Sequence, residues 1–179
     1  ADMSLSGKVT VVAGADADAK AVEQVVSVLR DLPGAQVSVS RTPDASGDQV
    51  WVGTAETTPG IDGLVASLGG SKAATLPADG YVIASGRRSG HNVIALQGKD
   101  ARGTFYAVQT LRQLVRHDKV ASVTVRDWPL MPIRGGIEGF YGIPWSHQAR
   151  LDQFPFYGRH KMNTYICLLY TSPSPRDRG

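Results

Sequence analysis

The sequence predicts an α/β domain that runs to about Asp127, followed by a separate β-α piece. Three observations carry that prediction. Short apolar runs with period-two alternation trade places with segments of helical periodicity up to Asp127, and no internal repeat appears among them. The stretch Asp127-Trp128-Pro129-Leu130-Met131-Pro132 then sets two prolines too close together for a helix or a central strand, so it reads as a connector. Beyond it, Ile133 to Trp145 reads as a short strand entering a turn crowded with glycine and aromatics, and a helical pattern opens at Ser146.

The elements follow in order. Val9 to Ala13 is a short apolar strand, and Gly14 precedes a small-residue helix with Ala21, Val25, Val28 and Leu32 on one face. Leu32-Pro33-Gly34 ends that helix, because proline removes a donor and glycine permits positive φ. Val37 and Val39 alternate with polar neighbours as a half-buried strand. After a turn-rich stretch from Thr42 to Asp48, Gln49 to Gly53 reads as another strand, and Ile61 to Leu68 as a short helix. Tyr81 to Ser85 and Asn92 to Gln97 form a hairpin across Gly86-Arg87-Arg88-Ser89-Gly90. Asp100 is a good N-cap for the clearest helix, whose buried face is read from Ala101, Phe105, Val108, Leu111 and Val115. Val123 and Val125 suggest a closing strand. In the second piece, Pro132 to Gly139 alternates Arg134, Gly136 and Glu138 against Ile133, Gly135 and Ile137. The first set is expected to point into a sheet-enclosed interior and the apolar set toward helices.

The bulk composition excludes several classes of function. Hydrophobic content of 42% and charged content of 20% fit a globular chain, and no apolar run approaches the length that spans a bilayer. The net charge of +3 is dispersed, without a Lys/Arg block interleaved with aromatics, so no nucleic-acid partner is expected. Cys167 is the only cysteine and builds neither a disulfide framework nor a thiolate metal site. His91, His117 and His160 lack metal-ligand spacing, so neither a metal nor a cofactor is expected. The opening Ala1-Asp2-Met3-Ser4 has no basic or apolar leader region, and without a methionine at position 1 it reads as an incomplete start.

Arg134-Gly135-Gly136-Ile137-Glu138-Gly139-Phe140-Tyr141-Gly142, Pro144-Trp145, Arg150 and Met162-Asn163-Thr164-Tyr165 together resemble glycoside hydrolase family 84. That family includes bacterial β-N-acetylglucosaminidases, hyaluronidase-like enzymes and protein O-GlcNAcases. Upstream, Asp79-Gly80-Tyr81-Val82-Ile83 and Gly98-Lys99-Asp100-Ala101-Arg102-Gly103-Thr104-Phe105-Tyr106 resemble its N-terminal accessory domain, which family 20 hexosaminidases share. The resemblance implies three regions: an accessory α/β domain with a mixed sheet over residues 1–127, the first β/α unit of a truncated (β/α)8 TIM barrel over 128–166, and a tail over 167–179. The first outer helix would span Ser146 to His160, with Leu151, Phe154 and Tyr157 toward the sheet, and Met162 to Tyr165 would be the second strand. The tail, with its Ser-Pro-Ser-Pro, resembles translated sequencing adapter and reads as foreign or disordered.

By the same resemblance the chemistry is retaining and substrate-assisted. The acetamido oxygen of the substrate acts as nucleophile, and two adjacent aspartates orient it and serve as general acid and base. This chain has no Asp-Asp dipeptide, and Tyr170 stands where the family has a sugar-binding lysine, so no catalytic residue is expected here and the chain should be inactive by itself. Gly139, whose missing Cβ lets backbone approach a sugar, and Tyr141 would line the pocket for an N-acetylglucosamine-containing glycan. A secreted or cell-surface bacterial location goes with that family.

Blander readings compete at several residues. Glu138 reads as an active-site acid or, at least as well, as a structural carboxylate paired with a basic neighbour, and it is not counted as catalytic. Ser146 beside His147 reads as a helix N-cap rather than a nucleophile and base. Gly14 after a strand hints at a phosphate-binding turn but lacks the G-x-G-x-x-G pattern. Trp51 and Trp128 read as packing residues, whereas Trp145, at the motif turn, stays open as a sugar-stacking residue. Two rivals remain. A family 20 hexosaminidase would follow Arg-Gly with an Asp and a second Arg, and Gly136-Ile137-Glu138 departs from this. The other is a non-catalytic glycan-binding or scaffold module over residues 1–127.

Overall fold

Period-two alternation gives each central strand two apolar faces, and a layer of helix covers each of them. The computed structural model describes residues 2–139 and 143–167. Its chain divides into two units, Ala1–Leu130 and Met131–Gly179. In the first unit the order is β1 (Gly7–Val12), α1 (Ala19–Arg30), β2 (Ala35–Ser40), β3 (Asp48–Gly53), α2 (Ile61–Ser67), a 3-10 turn (Ala73–Thr75), β4 (Tyr81–Arg88) and β5 (His91–Gly98). There follow α3 (Ala101–Leu114), a small hairpin of β6 (Val115–Arg116) and β7 (Lys119–Val120), and β8 (Thr124–Asp127). Six of the strands form a mixed sheet in the order β2-β1-β3-β5-β4-β8. Neighbours are parallel from β2 to β5, and β4 runs antiparallel to β5 and β8.

One face presents Val9, Val11, Val50, Val52, Tyr81, Ile83, Ile94 and Leu96 to α1 and α3. The other presents Val82, Ala84, Val93 and Ala95, with Trp51 at its margin, to α2. This is a three-layer α/β/α arrangement in which the sheet is apolar on both sides, as parallel strands require.

Four differences from the expected elements have physical causes. The hairpin strands run on to Arg88 and His91, so the turn is Ser89-Gly90 rather than five residues. Both turn residues have positive φ, 51° and 87°, the geometry that matches strand twist in a two-residue loop. Helix α3 buries more than one stripe: Tyr106, Ala107 and Thr110 join Val108 and Leu111, because the helix packs against both the sheet and α1. Ala101 is exposed in its first turn, and Val115 has left the helix for β6. Finally, β2 is the sheet's edge: Val37 packs on the core, while Val39 is 54% exposed.

The second unit holds β9 (Gly135–Ile137), α4 (His147–Arg159) and β10 (Thr164–Ile166), with β9 and β10 parallel. Register pairs Gly136 with Tyr165 and Ile137 with Ile166. Both strands are shorter than expected, since side chains take over at their ends. Asn163 Oδ1 accepts the Arg134 N–H at 2.9 Å, and the Arg134 Nε–H donates to the Lys161 carbonyl at 2.8 Å. The expected facing is reversed. Gly136, Glu138 and Tyr165 lie under α4, whereas Ile133, Ile137 and Ile166 are exposed. The cause is aromatic bulk: a Cβ at Gly136 would overlap the Tyr157 hydroxyl, and Phe154 meets the Tyr165 ring edge-on at 5.6 Å. Glycine at 136 leaves the room that this packing needs.

Candidate functional site

The C-terminal end of β9 concentrates the polar chemistry of the second unit on one carboxylate. Glu138 is 2% exposed. Its Oε1 accepts from the Trp145 backbone N–H at 2.9 Å and from Arg150 Nη2 at 2.8 Å. Its Oε2 accepts from Arg150 Nε at 2.8 Å and from the Tyr165 hydroxyl at 2.6 Å. The Arg150 fork is therefore bidentate, the strongest form of this pair. Hydrogen bonds from Arg150 and Tyr165 hold the Glu138 carboxyl down at about 2, against their opponent, desolvation. The same bond to Glu138, with burial, pushes the Tyr165 phenol up to about 12.

These numbers decide between the two readings of Glu138. A general acid must carry a proton near working pH, and a general base must have a free lone pair and a pKa within reach of it. Glu138 is ionised; its Oε1 already accepts two hydrogen bonds, and its Oε2 accepts two and a longer one from the Cys167 thiol at 3.7 Å. The basic neighbour that the structural reading calls for is Arg150, paired with it through both guanidinium contacts. Sequence reading had both residues within one motif but could not pair them, because their meeting depends on α4 folding back over β9.

Gly139 follows directly, and a Cβ built there meets no atom within 4 Å. Among the described residues, nothing fills the space beside it. Tyr141 lies outside the described residues. Trp145 is 41% exposed, with its backbone tied to Glu138. Ser146 is the N-cap of α4: its Oγ accepts from the Ala149 N–H at 3.1 Å, so it is no nucleophile for His147. His160 Nδ1 sits 2.8 Å from the Phe156 carbonyl at the end of α4, and His91 and His117 lie in the first unit at a strand start and a turn. Among the described residues no three His, Cys, Asp or Glu side chains gather as metal ligands do.

Within the first unit, Gly14 resolves against phosphate binding. Sheet order reverses between β1 and β3, the place where open α/β sheets bind ligands. There the Gly14 N–H donates to Thr58 Oγ1 at 3.1 Å, and Thr58 in turn donates to the Val52 carbonyl at 2.7 Å. A Cβ at Gly14 would overlap the Thr57 carbonyl, so the glycine serves close packing of the 54–58 turn. Trp51 packs on the α2 core with its Nε1–H on Gln49, and Trp128 lies 5.2 Å from the Arg126 guanidinium. A groove of about 870 Å³ between α1 and the β2 edge is lined by small and aliphatic residues, with the mixed charges Glu23, Arg30, Asp31 and Arg41.

The upstream motif residues form a lock at one end of the sheet. Asp100 Oδ1 caps α3 by accepting from the Gly103 N–H at 2.7 Å, and its Oδ2 accepts from the Asp79 N–H at 2.8 Å. Asp79, at φ 63°, pairs with Arg102 at 2.9 Å. The Tyr81 hydroxyl donates to Asp127 at 2.7 Å and lies 2.6 Å from the Thr110 hydroxyl. A Cβ at Gly103 would overlap the Gly80 carbonyl, so α3 docks there only as glycine.

Residues 1–128 match the family described as glycosyl hydrolase family 20, domain 2, and residues 134–171 match the family described as beta-N-acetylglucosaminidase. The first match spans more than half of the sequence: the chain belongs to the family 20 domain 2 family, followed by a segment matching the start of a β-N-acetylglucosaminidase domain. Among solved structures it is similar to CpGH84B, at 28% identity and TM-score 0.71 over 92% of this chain and 26% of that one. It is similar also to CpGH84D, at 25% identity and TM-score 0.78 over 98% and 31%. A mutant Streptomyces plicatus β-hexosaminidase, in complex with its product GlcNAc, shares the fold at 16% identity and TM-score 0.61 over 93% and 31%. The chain thus spans about a quarter to a third of the length of these solved relatives.

Proposed function

We propose that this chain is the leading part of a retaining, substrate-assisted β-N-acetylglucosaminidase. In it, residues 1–127 are an accessory domain and 128–166 open a (β/α)8 barrel. The match of residues 134–171 to the β-N-acetylglucosaminidase family carries this reading. The substrate is an N-acetylglucosaminide: its acetamido oxygen attacks the anomeric carbon as the glycosidic oxygen leaves with a proton, and water later opens the oxazoline. Gly139 brings backbone against the sugar, supported by the space that the described residues leave beside it, and Tyr141 lines the same pocket.

The chain by itself supplies one wall of that pocket and no acid–base pair. It contains no Asp-Asp dipeptide, and Glu138 is too acidic and too fully bonded to substitute. A barrel of this kind takes about 250 residues. The test is hydrolysis of an aryl N-acetylglucosaminide by the purified chain and by the product of its uninterrupted genomic reading frame. We expect no turnover above the blank from the first and turnover from the second. Activity in the 179-residue chain, or none in a folded full-length product, would overturn the proposal.

A further inference from the structure

We propose that Glu138 is a positioning residue that sets the sugar-facing end of β9, by tying together the strand that carries it, the Trp145 backbone before α4, and Tyr165 of β10. The word sugar rests on the function proposed above; the geometry stands without it. A carboxylate serving only to hold α4 on β9 would need the Arg150 fork alone. Glu138 accepts further bonds elsewhere: from the Trp145 N–H, seven residues along the chain, from the Tyr165 hydroxyl of the neighbouring strand, and at 3.7 Å from the Cys167 thiol just beyond it. The Glu138 N–H meanwhile donates to the Ile166 carbonyl at 3.0 Å, so backbone and side chain are both fixed. Gly139 has no side chain, and among the described residues none lies within 4 Å of where its Cβ would be. The anchored Glu138 immediately before it fixes the strand from which it leaves. A bond to a buried carboxylate also holds better than one to a neutral group, which suits a surface that must not yield when a sugar docks.

Amide NMR of the whole chain tests this without needing catalysis. In the unaltered protein the Trp145 and Gly139 amide protons should titrate together with the Glu138 side-chain carbon, with a midpoint near 2. In Glu138→Gln that titration should vanish, and Trp145 amide exchange should quicken about tenfold or more, while exchange at Tyr157 and Gly158 changes far less. Glu138→Asp, which keeps the charge, should restore part of the Trp145 protection. Separate midpoints for Trp145 and Glu138 in the unaltered protein would overturn the proposal even if the variants fail to fold. Equal loss of protection along α4 would also overturn it, making Glu138 a helix tether. Addition of N-acetylglucosamine to the folded product of the uninterrupted reading frame separates the two claims: no response at Gly139 there, alongside the shared titration, would remove the sugar reading and keep the positioning role.

Discussion

Asp100→Ala, set against Asp100→Asn, isolates the two bonds that lock α3 to the sheet. The carboxylate accepts from the Gly103 N–H at 2.7 Å and from the Asp79 N–H at 2.8 Å. Loss of an N-cap costs about 1 kcal/mol. A hydrogen bond to a charged group is worth about 1.5–3 kcal/mol, and this one steadies Asp79 in a left-handed conformation that non-glycine residues adopt at a cost. Alanine removes both bonds, so Asp100→Ala should cost about 2.5–4 kcal/mol. Asparagine caps as well as aspartate but offers its second position as a donor, so Asp100→Asn should lose the second bond alone, about 1.5–3 kcal/mol. Urea unfolding followed by far-UV circular dichroism reads both, with an unchanged slope if the native and denatured ensembles keep their compactness. An asparagine variant as damaged as the alanine one, or an alanine variant within about 0.5 kcal/mol of the parent, would refute the two-bond account.

Other expectations follow from the same geometry. Gly103→Ala should destabilise by about 1 kcal/mol, although alanine is the better helix former, because overlap with the Gly80 carbonyl outweighs the propensity gain; a raised melting temperature would contradict this. Limited proteolysis should trim residues beyond about Trp128 first, since among the described residues the buried hydrophobic ones all lie in the first unit; a protected C-terminal fragment on mass spectra would count against it. The second unit should be steadiest between the ordinary glutamate value of 4.5 and the ordinary tyrosine value of 10.0. Glu138, depressed to about 2, withdraws support as pH falls below that window, and Tyr165, raised to about 12, withdraws it as pH rises above. Ring-current-shifted resonances of Tyr165 followed against pH would show a plateau with two flanks, and a flat or single-sided profile would be the wrong outcome.

Most of the first unit was legible because its strands bury both faces and its helices carry regular stripes. Val9 and Val11, Tyr81 and Ile83, and the Asp100 cap all sit where periodicity put them. The hairpin turn was read too long, because Arg87 and Arg88 look like loop residues, while the sheet register needs them as strand. The width of α3's buried face was hidden for a different reason: Gln109 and Thr110 are polar letters, the first buried where it donates to Gln24 of α1 and the second where it meets the Tyr81 hydroxyl of β4. At the candidate site, glycines and the motif glutamate pointed to the right stretch. The partners of Glu138 did not follow from spacing, since Arg150 and Tyr165 reach it only through a helix crossover, and the facing of β9 was inverted by counting isoleucines without weighing the aromatics of α4.

Thr58 carries a wider meaning. Its hydroxyl joins the Gly14 N–H to the Val52 carbonyl where the sheet order reverses, so the backbone donor that could face a phosphate there is spent inside the protein. The likeness of this strand order to nucleotide-binding sheets therefore gives no ground for expecting a nucleotide in this domain.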